Sequence, residues 1–111
     1  MNYQKGNYIL TEFGELPIKH VVFDTYQVSG VDGRILWANK TEPIELTEEW
    51  LIKFGLKKKT IKSCYWTIKN FDVDLDGWFG FNKMVAPVPL KYVHQLQNLY
   101  FALTGNELTI K

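Results

Sequence analysis

The sequence predicts an α+β domain: a small antiparallel β region curled in the SH3-like manner, a short capped helix, a second β-hairpin region, and a C-terminal helix packed on the sheet. Three observations predict it. Two Asp-Gly pairs, Asp32-Gly33 and Asp76-Gly77, each lie between short runs of β-forming residues. Residues 47–54 carry both a start and a stop signal for a two-turn helix. Val93, Leu96, Leu99/Tyr100 and Leu103 recur at three- and four-residue steps, the spacing of one helical stripe. A chain of 111 residues with four Trp, six Tyr and seven Phe is expected to form a single domain over 1–111 around one ring-rich core.

In chain order, the first β region covers 1–38. Asn7–Phe13 is rich in β-formers and ends at Gly14, and Leu16-Pro17 is expected to stay in the loop that follows. Ile18–Phe23 and Tyr26–Val31 read as strands broken at Asp24-Thr25. Asp32-Gly33 is expected to form a two-residue primed turn into Arg34–Ala38. After a polar loop, Thr47 is the N-cap candidate for the 47–54 helix, Glu48 and Glu49 complement its first amides, and Trp50, Leu51 and Phe54 form its apolar face. Gly55 supplies a left-handed stop with Leu56 folding back.

Lys57-Lys58-Lys59 reads as a solvated link into the second β region, 61–86. There Cys64, Trp66 and Ile68 share an inward face, and Phe71–Leu75 alternates strictly. Pro87 and Pro89 separate this region from the last helix, 90–104, which Gly105 closes. Glu107–Ile110 reads as a last short strand or a docked tail.

The composition excludes several classes. Thirteen Lys or Arg against twelve Asp or Glu leave a net charge of +1, too little for a global field that steers a polyanion. One cysteine, Cys64, cannot close an internal disulfide, so a cytoplasmic rather than secreted product is expected. The first residues lack a signal-peptide pattern, and no apolar window is long enough for a membrane span.

Chemical motifs are sparse. Asp72-x-Asp74-x-Asp76-Gly77 opens like a calcium loop, but its twelfth position is Lys83 and its flanks read as strands, so a hairpin with the aspartates facing water is preferred and no metal or cofactor is expected. His20 and His94 are isolated, and a solvent-facing or hydrogen-bonded role is expected for His94. Cys64 lacks a partner base and reads as a core thiol. Glu42, Glu45, Glu48 and Glu49 gather at a helix start, where dipole effects explain them. No catalytic residue is assigned. A basic and aromatic stretch, Lys57, Lys58, Lys59, Lys62, Trp66 and Lys69, offers an alternative nucleic-acid surface.

Pro43–Leu56 and Tyr92–Leu108, supported by Gly6–Ile9, resemble a family of small uncharacterised proteins encoded in gut Bacteroidetes genomes and in their phages and mobile elements. The resemblance implies a bacterial or phage-encoded cytoplasmic product and carries no activity or ligand. Tyr92, His94, Gln95, Gln97 and Asn98 crowd amide and imidazole groups on the last helix, a mixture expected of a contact surface for a protein partner or a second copy. The resulting expectation is a non-enzymatic interaction or assembly module of phage or mobile-element origin, with nucleic-acid binding as the alternative.

Overall fold

The computed structural model describes residues 3–60, 64–88 and 90–111. The chain is α+β, with two antiparallel five-stranded sheets, a short helix, and a C-terminal helix packed on the sheet. The molecule is elongated, 41 × 24 × 21 Å.

The first sheet contains β1 (Tyr8–Thr11), β2 (Gly14–Val22), β3 (Thr25–Ser29), β4 (Ile35–Ala38) and β5 (Thr41–Glu42), in the order β4-β3-β2-β1-β5. Its two edge strands, β4 and β5, are separated in the chain by only Asn39-Lys40. From residue 38 to residue 41 the backbone spans at most about 11 Å, whereas four strand spacings in a flat sheet amount to about 19 Å. The sheet must therefore curl until its edges approach. A bulge between Ile18 and His20 adds local bend. The concave side holds Tyr3, Ile9, Leu16, Ile18, Val28 and Ala38.

Leu16-Pro17 lies inside β2 rather than in a loop, paired with Ile9 and Tyr8. Proline is tolerated there because the ladder to β3 begins only at Ile18, so no neighbour asks for its missing N–H. Asp32-Gly33 also departs from expectation. Gly33 N donates to the Gly30 carbonyl at 2.9 Å and Gly30 N to the Arg34 carbonyl at 2.7 Å, so the connection is a three-residue loop with a left-handed Gly33.

Helix α1 spans Glu48–Lys53. Thr47 occupies its N-cap, but the hydroxyl makes no capping hydrogen bond. The C-terminal end follows the sequence closely. Gly55 has φ 89°, its N–H donates to the Ile52 carbonyl, and Leu56 N donates to the Leu51 carbonyl, the paired bonds of a Schellman ending.

The second sheet contains β6 (Lys57–Lys58), β7 (Tyr65–Ile68), β8 (Phe71–Asp74), β9 (Trp78–Phe81) and β10 (Met84–Pro87), in the order β10-β9-β8-β7-β6. The expected lysine link is thus partly a strand, paired with Trp66 and Thr67. Ile61–Ser63, expected to open a strand, and Pro89 lie outside the described residues. Cys64 is exposed, because β7 starts one residue later and its inward alternation never reaches the thiol. Asp74 is buried rather than facing water, its Oδ1 accepting the Asp76 N–H at 2.9 Å inside the three-residue loop that Gly77 closes. Two-residue turns join β7 to β8 at Lys69-Asn70, where Lys69 has φ 53°, and β9 to β10 at Asn82-Lys83, with φ 49° and 69°.

Helix α2 spans Val93–Thr104 and ends at Gly105, φ 75°. Val93, Leu96 and Tyr100 are buried, with Leu99 and Leu103 packed beside them. They join Trp50, Leu51, Phe54, Trp66, Phe71, Val73 and Phe79 in the larger core, where the Phe71 and Tyr100 rings meet edge-on at 5.4 Å. The apolar interior is therefore two clusters, not the one core expected, because the curled sheet encloses its own side chains. The C-terminal segment is a docked tail: Leu108 is buried and Lys111 N donates to the Lys53 carbonyl at 2.8 Å.

Gly55→Ala is expected to lower stability by about 1–2 kcal/mol, the cost of a side chain in left-handed backbone, compounded by a Cβ only 2.8 Å from Lys111 Cγ. Thr47→Ala, which removes a hydroxyl that bonds nothing in the first turn, should cost less than about 0.5 kcal/mol. Urea denaturation of both variants checks the pair.

Candidate functional site

Of the five residues expected to form a partner surface, His94 and Gln97 are buried and Tyr92, Gln95 and Asn98 are half-buried, and their polar groups are largely engaged within the fold. Gln95 Oε1 accepts the backbone N–H groups of Lys91 and Tyr92 at 2.9 and 3.0 Å, covering amides ahead of the helix. Asn98 Oδ1 accepts from Asn7 Nδ2 at 2.9 Å. Gln97 is only 4% exposed and makes three hydrogen bonds. Its Oε1 accepts the Tyr8 N–H at 2.8 Å, and its Nε2 donates to the carbonyls of Gly6 and Leu108 at 2.9 and 3.0 Å.

Strand alternation explains the geometry. Thr11 and Ile9 bond toward β2, so Leu10 and Tyr8 present their backbone groups on the other side, where β5 pairs with Leu10. The Gln97 amide continues that ladder beyond the end of β5. Beside it, Gln4, Lys5, Asn7, Asn98, Phe101 and Glu107 surround a cleft of about 240 Å³.

His94 is also buried, at 4% exposure, and is not solvent-facing. Its ring meets Tyr3 edge-on at 5.0 Å and stacks on Tyr92 at 5.8 Å. Nδ1 has no hydrogen-bond partner. Burial pushes its pKa below the ordinary 6.5. His94 and Gln97 therefore cannot present themselves to a partner: the helix turns them into the seam with the N-terminal segment.

The structure brings together a different group. On the outer face of the second sheet, cross-strand registry aligns Lys57, Thr67, Asp72, Gly80 and Val85, with Asp74, Trp78 and Pro87 in the next row of the same face. At one end of this face, the turns Lys69-Asn70 and Asn82-Lys83 stand beside Lys59, and these residues with Thr67 and Asp72 line an open groove of about 520 Å³. Lys59 Nζ lies 2.7 Å from Asp72 Oδ2. Among the described residues no carboxylate lies within 4 Å of Lys57, Lys69 or Lys83.

Of the basic residues singled out in the sequence, Lys59 and Lys69 line the groove and Lys57 flanks it. Lys58 lies instead over the Trp66 ring, 5.6 Å from its centroid, and Trp66 is buried, so neither serves the groove. Lys62 lies outside the described residues. Lys83 and Asn82 were missed, although an Asn-Lys pair between two apolar strands was a readable turn signal.

The near-neutral total conceals a separation of charge. Residues 1–56 carry five Lys or Arg against eight Asp or Glu, net −3, whereas residues 57–87 carry six against three, net +3. Asp72 and Asp74 are engaged with Lys59 and the 75–77 turn, and among the described residues no three His, Cys, Asp or Glu are grouped to hold a metal ion. The Cys64 thiol is pushed above its ordinary pKa, by desolvation first and then by a hydrogen bond to Asp74 and that carboxylate's charge, which disfavours the thiolate. No described helix is long and apolar enough to cross a membrane. Comparison with protein-family models, with curated proteins and with solved structures found no match.

Two outcomes are expected of the seam. Gln97→Leu, which strands three backbone groups, should destabilise the fold by about 2–4 kcal/mol, with faster hydrogen exchange at the Tyr8 amide. Because the fold favours neutral His94, its contribution is complete above pH 6.5 and declines as pH falls through that value toward the lower folded-state pKa. Denaturation midpoints measured between neutral and mildly acidic pH should show this decline, and His94→Phe should flatten it.

Proposed function

We propose that this chain is a non-catalytic binding module that holds the sugar-phosphate backbone of a single-stranded nucleic acid across the outer face of its second sheet. The observation that carries the reading is the gathering of Lys59, Lys69 and Lys83, from three separate connections, around one groove. Lysine ammonium groups supply mobile point charges suited to phosphate. Thr67, Asn70 and Asn82 add hydrogen-bonding groups between them. Half-exposed Trp78, on the same face, offers a ring on which a base can stack. The alternating faces of the sheet keep Trp66 and Phe79 in the core and leave this surface to the ligand. The local excess of positive charge gives the encounter a direction that the total charge does not.

A second reading, a protein-interaction or assembly module, is favoured by the half-exposed Ile35 and Trp37 of β4, which the groove does not use.

Fluorescence anisotropy with labelled single-stranded oligonucleotides tests the first reading. Binding is expected to weaken steeply with salt. Removing Lys69 and Lys83 together (Lys69→Gln/Lys83→Gln) should lower the magnitude of the log-log salt slope by about 1–2, and Trp78→Ala should cost about 1–3 kcal/mol of affinity. Absence of salt-dependent binding by the folded protein at low salt, or a double variant that binds like the parent, would remove it.

A further inference from the structure

Three of the four sheet edges are short or blocked. The β5 edge is two residues long and runs into Pro43, and the adjoining edge of β1 is covered by the Gln97 amide. The β6 edge is two lysines. The β10 edge carries Pro87, which has no N–H to offer. These are the usual protections against unwanted strand pairing. The β4 edge, Ile35-Leu36-Trp37-Ala38, has four residues, no proline and no charge.

Which of its backbone groups are open follows from registry. Gly30 and Arg34 are opposed and bonded, so Leu36 and Ala38, at even steps from Arg34, bond toward β3. Ile35 and Trp37 therefore direct both N–H and C=O away from the sheet, and among the described residues no hydrogen bond reaches those groups. The next outward amide, that of Asn39, is already taken by the Glu12 carboxylate at 3.0 and 3.1 Å, which closes the open stretch at that end. Both side chains are about half exposed, Ile35 at 50% and Trp37 at 51%.

We infer that β4 pairs antiparallel with β4 of a second copy of this chain, about a two-fold axis through Leu36. In that register Ile35 of one copy faces Trp37 of the other, and the reverse pair follows by symmetry. Each of these pairs exchanges two hydrogen bonds, so the four open groups of one edge are all satisfied by the four of its mate. No group is left over. The same register sets Ile35 against Trp37 on the outer face, an aromatic against a β-branched side chain, the favourable kind of cross-strand contact. The charges flanking β4 do not oppose approach: Arg34 lies 3.0 Å from Asp32 on the same chain, and Glu12 sits by the Lys40 amide. An unrelated strand would satisfy the backbone groups equally but has no reason to match the Ile35 and Trp37 side chains in this alternation. A second copy does so by construction.

The register makes the test specific. Leu36 faces itself across the axis as a non-hydrogen-bonded pair, with Cα atoms about 4.5 Å apart, within disulfide reach. In a Cys64→Ser background, Leu36→Cys is expected to oxidise to a covalent dimer, whereas Ile35→Cys and Trp37→Cys should not. Analytical ultracentrifugation of the unmodified chain across the micromolar to millimolar range should show a monomer–dimer equilibrium. Trp37→Pro, which deletes an outward N–H and leaves the β3 ladder intact, should weaken it about tenfold or more. Hydrogen exchange guards against a variant that does not fold: in the unmodified chain, the Ile35 and Trp37 amides should become protected as concentration rises. A strict monomer with fast-exchanging Ile35 and Trp37 amides at every concentration overturns the inference. So does a dimer that crosslinks equally through positions 35, 36 and 37, or one that persists in folded Trp37→Pro.

Discussion

The arrangement of the whole chain depends on one side-chain amide acting as if it were a peptide group. Gln97 presents a carbonyl and an N–H to the edge of β1 as a neighbouring strand would, and its remaining N–H goes to the carbonyl of Leu108. Three distant pieces of chain are thereby held at one point: the first sheet, the last helix and the tail. Ring contact also crosses this seam, where Tyr8 of β1 packs on Trp50 and Phe54, but such contact is non-directional and satisfies none of the peptide groups that the amide meets. A methylene in place of the amide would pack there, but it would leave buried peptide groups without partners. The resulting cost is what makes the amide specific to this position.

His94, one turn before Gln97 reaches β1, shows the other side of the same burial. Its neighbours are the rings of Tyr3 and Tyr92, which supply contact but no acceptor or donor for Nδ1. Tyr3 in turn packs on Tyr26 of β3, so the histidine belongs to the junction between α2 and the first sheet. An imidazole kept neutral by its surroundings can sit in such a place; a protonated one cannot without loss. Acid is therefore expected to loosen this junction before the ring-filled core of the second sheet, whose buried members are apolar.

How much of this could be read in advance depends on the range of the interaction concerned. The apolar stripe of α2, the face of α1 formed by Trp50, Leu51 and Phe54, and the Gly55 ending were legible because each is specified by residues within a few positions. The curl of the first sheet was legible only as an architectural comparison; it follows rigorously once β4 and β5 are known to sit at opposite edges with two residues between them. The Asp-Gly pairs were legible as turns but not as turn types, since Asp32 and Asp76 keep negative φ and only the glycine is left-handed. The burial of His94 and Gln97 was not legible for a different reason. Polar residues on a helix look the same in sequence whether they face a partner or the edge of a strand about ninety positions away, and nothing local separates the two. The lysine groove was half visible: Lys59 and Lys69 lie within one basic stretch, whereas Lys83 joins them only through the β8–β9 hairpin that brings the turns alongside.

The two sheets divide the surface of the molecule in a way that bears on how the two proposed interactions would coexist. Phosphate binding by the second sheet would draw on charge and would fade as salt rises, because each neutralised phosphate releases counterions. Strand pairing at β4 would draw on backbone hydrogen bonds and two apolar side chains, with the flanking charges already paired within the chain, and would be nearly indifferent to salt. The groove is built on the second sheet and the open edge on the first, so occupation of one does not require atoms of the other. A pair joined through β4 would keep two lysine grooves available, one on each copy. A strand of nucleic acid held in the first groove would then meet the second at an effective concentration set by the distance between them, not by the bulk solution. Self-pairing would in this way raise the avidity of the proposed groove, one of whose three lysines is shared with Asp72.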